Sequence, residues 1–367
     1  MSRGIHVVLA AGGTAGHIEP ALNLADALVR EEPELVVTVI GGDHGLESSL
    51  VPSRGYDLKT VPAVVMPRRI STALLTVGPK VWAATGQAVA HLQELRPDVV
   101  VGFGGYAALP TYRAAKKLGI ALIIHEANAK AGLANRVGAR YATEVYVTVT
   151  GNLPGVPMSL PLSQSIVHLD RAQARDHARE SFGLSLTAPV LLVFGGSQGA
   201  QHINESLALA LPGLLAAGIQ VLHGYGPNNQ SPEQQVGYVP LPYIDRMDQA
   251  YAAADLAITR SGAMTVAEVA AVGLPTIFVP LPIGNGEQRV NALPVVQAGG
   301  GLLIDNAALT PERLVDAVLP LIRDEEQLTR MSTAAQQVGV RDAAQRLAVA
   351  VLRVARQRRA RSGEDAL

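Results

Sequence analysis

Twice in this chain an apolar run of strand length passes directly into a glycine-rich turn. Ile5-His6-Val7-Val8-Leu9-Ala10 leads into Gly12-Gly13-Thr14-Ala15-Gly16, and Val190-Leu191-Leu192-Val193-Phe194 leads into Gly195-Gly196-Ser197-Gln198-Gly199. A turn of this kind, between a buried parallel strand and a helix, lets the backbone come close to a phosphate or sugar while helix N-terminal amides point at it. Gly12 and Gly195 lie 183 positions apart in a chain of 367 residues, and domains run to roughly 100 to 200 residues. The pattern predicts two similar nucleotide-fold halves of α/β class, their two turns facing each other across one cleft.

Other runs fit that scheme. Val36–Ile40 ends in Gly41-Gly42, Asp98–Val101 in Gly102-Phe103-Gly104-Gly105, and Ala121–Ile124 in His125-Glu126. Each reads as a parallel strand whose C-terminal end carries a loop, the edge at which open α/β sheets bind ligands. Gly151 to Pro161 holds two glycines and three prolines, a poor stretch for either element and a natural hinge. The second half continues with strands at Gln220–His223, Leu256–Thr259 and Thr276–Val279, and from Pro311 the pattern is helical. The final basic run, Arg353, Arg356, Arg358, Arg359 and Arg361, reads as a solvated helix end fraying into a tail, with lipid headgroups as the other candidate partner. Hydrophobic residues make up 48% of the chain but aromatics only 4%, so the cores must be built from Val, Leu, Ile and Ala. The net charge of -1 supplies no general pull toward nucleic acid. With no cysteine, disulfides, thiolate-held clusters and thiol nucleophiles are excluded, and a reducing compartment, the cytoplasm, is expected. No run of about 18 apolar residues suggests a membrane span.

The densest chemistry lies in Arg260-Ser261-Gly262-Ala263-Met264-Thr265-Val266-Ala267-Glu268. Ser261 is a suitable N-cap, Gly262 clears the approach to the first free amides, and the helix dipole favours an anion there. Glu268, further along the helix, suits both hydroxyls of a ribose; a surface glutamate on an ordinary capped helix has the same spacing. In Gly284-Asn285-Gly286-Glu287-Gln288-Arg289-Val290-Asn291 the amide side chains suit sugar hydroxyls or, equally, a helix cap.

Taken together, G-G-T-A-G-H-I-E-P at 12–20, H-E-A-N at 125–128, G-G-S-Q-G-A at 195–200 and R-S-G-A-M-T-V-A-E followed by G-L-P at 260–275 resemble the family-28 glycosyltransferases that add N-acetylglucosamine to lipid I in peptidoglycan synthesis. The likeness runs from about Ile5 to Arg346. It implies a GT-B fold, two Rossmann-like doubly wound parallel-sheet domains around a cleft. On that pattern residues 1–160 form the acceptor and membrane side, 161–340 the UDP-GlcNAc side, and 341–367 a helix returning to the first domain and a basic tail. The implied partners are UDP-GlcNAc, undecaprenyl-linked lipid I, the cytoplasmic face of the cell membrane and other cell-wall synthesis proteins, without nucleic acid and without a cofactor or metal. Carried over by position, Thr14, Ala15 and Gly16 lie near the donor sugar and diphosphate, Asn128 at the acetamido group, Ser197 at phosphate and Ile244 at uracil. Ala263, Met264, Thr265, Val266, Ala267 and Glu268 hold phosphates and ribose, and Gln288 with Asn291 the sugar hydroxyls. Ser163 stands where many relatives have an arginine, so a cation on the diphosphate is missing unless Arg260 or another base supplies it.

An inverting transfer needs a base for the acceptor hydroxyl and a way to stabilise departing UDP. His17, at the end of the first glycine turn, is the first base candidate and Glu126 the second. No Asp-x-Asp occurs, so the helix starting at Ser261 is expected to carry the leaving group. Pro67-Arg68-Arg69-Ile70 and Leu74-Leu75-Thr76-Val77-Gly78-Pro79-Lys80-Val81-Trp82 mix bases, aliphatics and the only tryptophan, as suits an anionic membrane surface or an amphipathic core helix. Three rivals remain at this level: a nicotinamide oxidoreductase, for which neither turn gives a clean G-x-G-x-x-G; a non-catalytic sugar-nucleotide binder; and a UDP-GlcNAc 2-epimerase.

Overall fold

The computed structural model describes residues 3–63, 74–151, 153–282 and 286–362. Pro67 to Ile70, the side chains of Leu74 to Val77, and Gly284 with Asn285 lie outside the described residues. The chain forms two compact units, Met1–Leu162 joined by Asp342–Leu367, and Ser163–Arg341.

The first unit is built on seven strands: β1 (His6–Ala11), β2 (Val36–Gly42), β3 (Asp57–Val61), β4 (Val99–Gly104), β5 (Ala121–Glu126), β6 (Glu144–Val147) and β7 (Val156–Pro157). They pair in the order β3-β2-β1-β4-β5-β6-β7, every pair parallel. Its helices are α1 (Ala15–Glu31), α2 (Glu47–Ser53), α3 (Leu74–Leu95), α4 (Ala108–Lys117) and α5 (Leu133–Gly138), with a last helix from the C-terminal segment. Alternation along β1 feeds two cores. Val7, Leu9 and Ala11 pack with α1 and the last helix, whereas Val8 and Ala10 pack with Ala88, Leu92 and Tyr112 of α3 and α4. Both faces are thus covered, which is why the central strands are apolar throughout.

The second unit repeats the plan with β8 (Val190–Phe194), β9 (Gln220–Gly224), β10 (Tyr238–Leu241), β11 (Leu256–Thr259), β12 (Thr276–Phe278) and β13 (Gly301–Leu303), ordered β10-β9-β8-β11-β12-β13 and all parallel. Its helices are α6 (Gln164–Val167), α7 (Arg171–Ser181), α8 (Gln201–Ala216), α9 (Met247–Ala253), α10 (Ala263–Val272), α11 (Glu287–Gln297), α12 (Pro311–Ile322) and α13 (Glu325–Val338); α14 (Ala343–Ser362) belongs to the first unit. In each sheet the order reverses beside the strand that precedes a glycine turn, between β1 and β4 and between β8 and β11. That reversal opens a ligand crevice at the carboxyl ends of the strands.

Two expectations change here. The stretch from Gly151 to Pro161, expected to suit neither element, contributes an edge strand, because β7 pairs with β6 through Tyr146–Val156 and Val147–Pro157, where an edge tolerates proline, while the boundary between the units falls directly after it, at Leu162 and Ser163. The basic run is helical to Ser362 and only partly solvated. Arg359 is buried and bonds Asp98 through Nε and Nη2, both at 3.0 Å, and also donates to the Arg3 carbonyl at 2.7 Å. Arg353 pairs with Glu144 at 2.6 Å and Arg356 with Glu32 at 2.8 Å. Of these, the buried Arg359 fastens α14 to the first unit, whereas the exposed pairs of Arg353 and Arg356 add little.

Candidate functional site

In the first unit the loops after β1, β4 and β5 converge. The backbone of the first turn is so close to the loop after β4 that any Cβ on Gly105, at φ 91°, would run into the carbonyl of Gly12. A carboxylate supports the turn from behind. Glu47, at the start of α2, is fully buried and accepts from Gly42 N at 2.8 Å and from Gly13 N at 3.2 Å. The half-exposed ring of Tyr106 lies over Gly13.

His17 lies in the first turn of α1 and not at the end of the loop, because α1 begins at Ala15 with Thr14 as its N-cap. The Thr14 side chain makes no capping bond to the helix; its Oγ1 lies 3.1 Å from His17 Nδ1. The opposite edge of the ring rests on Gly104, where a Cβ would come 3.5 Å from Nε2. Burial lowers the imidazole pKa below its usual value, so the neutral base form prevails at neutral pH.

Glu126, the last residue of β5, is buried, and burial raises its carboxyl pKa. Its Oε1 accepts from Asn128 N at 2.9 Å, and its Oε2 from Gly132 N at 3.1 Å and Asn135 Nδ2 at 2.9 Å. Those bonds shape the loop that presents Asn128. They also occupy the lone pairs that proton abstraction would use, so of the two base candidates His17 has the better placed acceptor.

In the second unit the corresponding loops follow β8, β11 and β12. The turn after β8 carries Ser197; a Cβ at Gly199, φ 73°, would meet the carbonyl of Tyr225 beyond β9. Ile244 is buried, its side chain against Gly224 at the end of β9. At the start of α10 the N-cap is Gly262 and no side chain caps the helix. The expected cap, Ser261, is instead buried with an Oγ that has no hydrogen-bond partner, since its position one residue before the cap turns the hydroxyl inward. The first-turn amides of Ala263, Met264 and Thr265 therefore have no serine across them, and Val266 N already bonds to Gly262 O at 3.0 Å. Glu268, half-buried on α10 beyond Ala267, accepts from Tyr251 Oη at 2.8 Å, which fixes its carboxylate.

Arg260, the other cation considered for the diphosphate, is engaged within the protein through Nη1. It is buried, and its Nη1 donates to the carbonyls of Val279 and Pro280 and to Asn306 Oδ1 at 2.7 Å, tying the ends of β11 and β12 together. Ser163 precedes α6, its Oγ 3.0 Å from Ser165 Oγ. On α11, which starts after Gly286, neither amide side chain caps the helix: Gln288 Oε1 accepts from Leu281 N at 3.0 Å and Asn291 Nδ2 donates to Ser261 O at 3.3 Å. Glu47, Asn135 and Tyr251 went unseen in the sequence, for they act through backbone amides or a distant carboxylate and no spacing marks them.

Residues 7–147 match the N-terminal domain of glycosyltransferase family 28, and residues 190–347 match its C-terminal domain. The chain is 55% identical over 346 residues, 92% of this chain and 95% of the other, to the UDP-N-acetylglucosamine--N-acetylmuramyl-(pentapeptide) pyrophosphoryl-undecaprenol N-acetylglucosamine transferase of Streptomyces avermitilis. It is 53% identical to the protein of the same name from Mycolicibacterium smegmatis, over 97% of this chain and 96% of that one. Among solved structures, Acinetobacter baumannii MurG superposes with a TM-score of 0.76 at 29% identity, covering 95% of this chain and 99% of that one.

Proposed function

The chain belongs to glycosyltransferase family 28, and on that premise we propose that it moves N-acetylglucosamine from UDP-GlcNAc to the 4-hydroxyl of N-acetylmuramyl-pentapeptide on undecaprenyl pyrophosphate, converting lipid I to lipid II in peptidoglycan synthesis. The likeness to enzymes named for this reaction along nearly the whole chain carries the reading. In the transfer the acceptor oxygen bonds to the anomeric carbon as the bond to UDP breaks, and the hydroxyl proton leaves to a base. His17 is that base: burial favours its neutral form, and in the tautomer this role requires Nδ1–H donates to Thr14 Oγ1, 3.1 Å away, leaving the Nε2 lone pair above the Gly104 backbone. Glu126 shapes the Asn128 loop, with Asn128 on the acetamido group, and Thr14, Ala15 and Gly16 lie by the donor sugar and diphosphate.

On the second unit the departing diphosphate is stabilised by the N-terminal amides and dipole of α10, with Ser197 alongside. Glu268, held by Tyr251, takes the ribose hydroxyls; Ile244 receives the uracil through its backbone; Gln288 and Asn291 bind the sugar hydroxyls. Ser163 leaves the diphosphate one cation short, which lowers donor affinity without changing the reaction. Because the acceptor is a lipid, the enzyme works at the cytoplasmic face of the membrane; among the described residues no helix is long and apolar enough to cross one. Trp82 of α3, 79% exposed beside the exposed Lys80, supports peripheral contact there.

The test is release of UDP from UDP-GlcNAc with and without a lipid I analogue. Release that depends on the analogue is expected. Conversion of UDP-GlcNAc without it would indicate an epimerase or hydrolase, and binding with no turnover a non-catalytic protein.

A further inference from the structure

Tyr112, on α4, is fully buried, its ring filling space that only glycine can leave at two places: a Cβ on Gly102 would collide with the ring, and one on Gly138 would come within 2.6 Å of it. The phenol oxygen of this apolar slot has two partners. It accepts from Gly104 N at 3.0 Å and donates to Asn135 Oδ1 at 2.8 Å. A phenol has one proton to give, and burial raises its pKa further, so it remains a donor at every physiological pH. That single donor determines which way the Asn135 carboxamide points. With Oδ1 facing the phenol, Nδ2 must face Glu126 Oε2, at 2.9 Å, and the His125 carbonyl, at 3.3 Å. The network therefore runs from the Gly104 amide through Tyr112 and Asn135 to Glu126, and from Glu126 to the amide of Asn128. At its first member it touches the proposed base, because a Cβ on Gly104 would lie 3.3 Å from Asn135 Nδ2 and 3.4 Å from the His17 ring.

We propose that Tyr112 is a positioning residue for glycosyl transfer, its hydroxyl locking the Gly104 shelf beneath His17 to the Glu126–Asn128 loop as one rigid piece. The role rests on the reading of His17 and Asn128 given above, and it assigns to a residue remote from substrate the task of keeping those two groups in fixed relation. An orienting bond of this kind matters to rate because small displacements of a positioned base are costly.

Tyr112→Phe keeps the ring and removes only the oxygen. With UDP-GlcNAc and a lipid I analogue, kcat should fall about tenfold, the effect of one lost orienting hydrogen bond, while UDP affinity by calorimetry stays at the parent value. Tyr141→Phe is the control, since the Tyr141 hydroxyl is buried without a partner and should leave kcat unchanged. If the phenol acts through Asn135, Tyr112→Phe added to Asn135→Ala should lower kcat no further than Asn135→Ala alone. An unchanged kcat in Tyr112→Phe, losses that multiply in the double variant, or a parallel fall in UDP affinity would each overturn the proposal. Should Tyr112→Phe fail to fold, Asn135→Asp probes the same link: it keeps an acceptor for the phenol but loses the donor to Glu126, and parental kcat in it would refute the network. Parental turnover reports on the transferase reading separately, so failure of one is not failure of the other.

Discussion

Replacing His17 by alanine removes the one group whose protonation the proposed chemistry needs. Burial depresses the pKa of the ring, which favours its neutral form at neutral pH. An imidazole at the ordinary value near 6.5 is already about three-quarters neutral at pH 7, so the shift makes the free base nearly complete. Loss of a positioned base costs about 10²- to 10⁴-fold, or roughly 3 to 5 kcal/mol of transition-state stabilisation. Thr14→Val should cost far less. It removes the acceptor 3.1 Å from Nδ1 while leaving the helix start intact, since Thr14 makes no capping bond. One hydrogen bond of about 0.5 to 1.5 kcal/mol corresponds to roughly a two- to twelvefold loss, and Thr14→Ser should restore the rate. The sign with pH follows. A depressed folded-state pKa keeps the base form to lower pH, so the acid limb of kcat/KM should fall below about 6.5 and activity should vanish as pH drops through it. The assay is UDP release with the lipid I analogue across pH, for parent and variants, with folding checked at each pH. His17→Ala retaining activity within threefold of parent, or keeping the same acid limb, would refute the assignment.

Glu268→Ala should weaken UDP binding by about 1 to 3 kcal/mol, the cost of unpaired hydroxyl donors, whereas Tyr251→Phe, which removes only the internal partner, should retain most of the affinity; equal calorimetric losses would make Glu268 structural. His125 and His223 are buried with pKa values lowered by burial to about 4. Folding excludes protons that the unfolded chain binds below about 6.5, so stability should be level above that pH and decline between it and about 4, by up to roughly 1.4 kcal/mol per pH unit for each histidine; urea unfolding at pH 7 and 5 that showed no difference would count against it. Asp98→Ala strands the buried Arg359 guanidinium and should cost about 3 to 5 kcal/mol, with hydrogen exchange along Ala343–Ser362 accelerating first; unaltered protection of that helix would contradict the docking role.

What the sequence reveals about the fold divides by position in the sheet. β1, β2, β4, β5, β8, β9, β11 and β12 read as apolar runs because they lie inside the sheets, covered on both faces. The edge strands β3, β7, β10 and β13 did not, nor did β6 beside an edge. β3 is Asp57-Leu58-Lys59-Thr60-Val61, mostly half-exposed, and β13 is only Gly301-Leu302-Leu303. An edge strand needs less apolar surface, so hydrophobic patterning weakens where half the environment is solvent. The candidate site divides similarly. Glycine turns and the α10 motif mark where loops gather, since close backbone approach demands glycine and amides demand a helix start. The carboxylates and amides that brace those loops, Glu47 under Gly13 and Asn135 under Glu126, bond across 34 and 9 residues. Such separations are arbitrary along the chain, and the same reason hid the true partners of Arg359 and Arg260.

The ion pair between Asp98 and Arg359 spans 261 positions, which gives it a meaning for a chain still leaving the ribosome. Synthesis at about 5 to 20 residues per second puts roughly 13 to 52 seconds between the appearance of the acid and of its partner. Once β7 at Val156–Pro157 has been made, the seven-stranded sheet has all its strands but not yet the helix that, with α1, covers one face, where Leu347, Val351 and Leu352 will pack. The second unit, wholly contained between the two segments of the first, is complete earlier. The half of the protein that is translated first is therefore the half that finishes folding last, and a nascent chain cut short before Ala343 presents chaperones with a sheet face covered by α1 without α14 and an Asp98 carboxylate held by Arg3 and the His6 amide without Arg359.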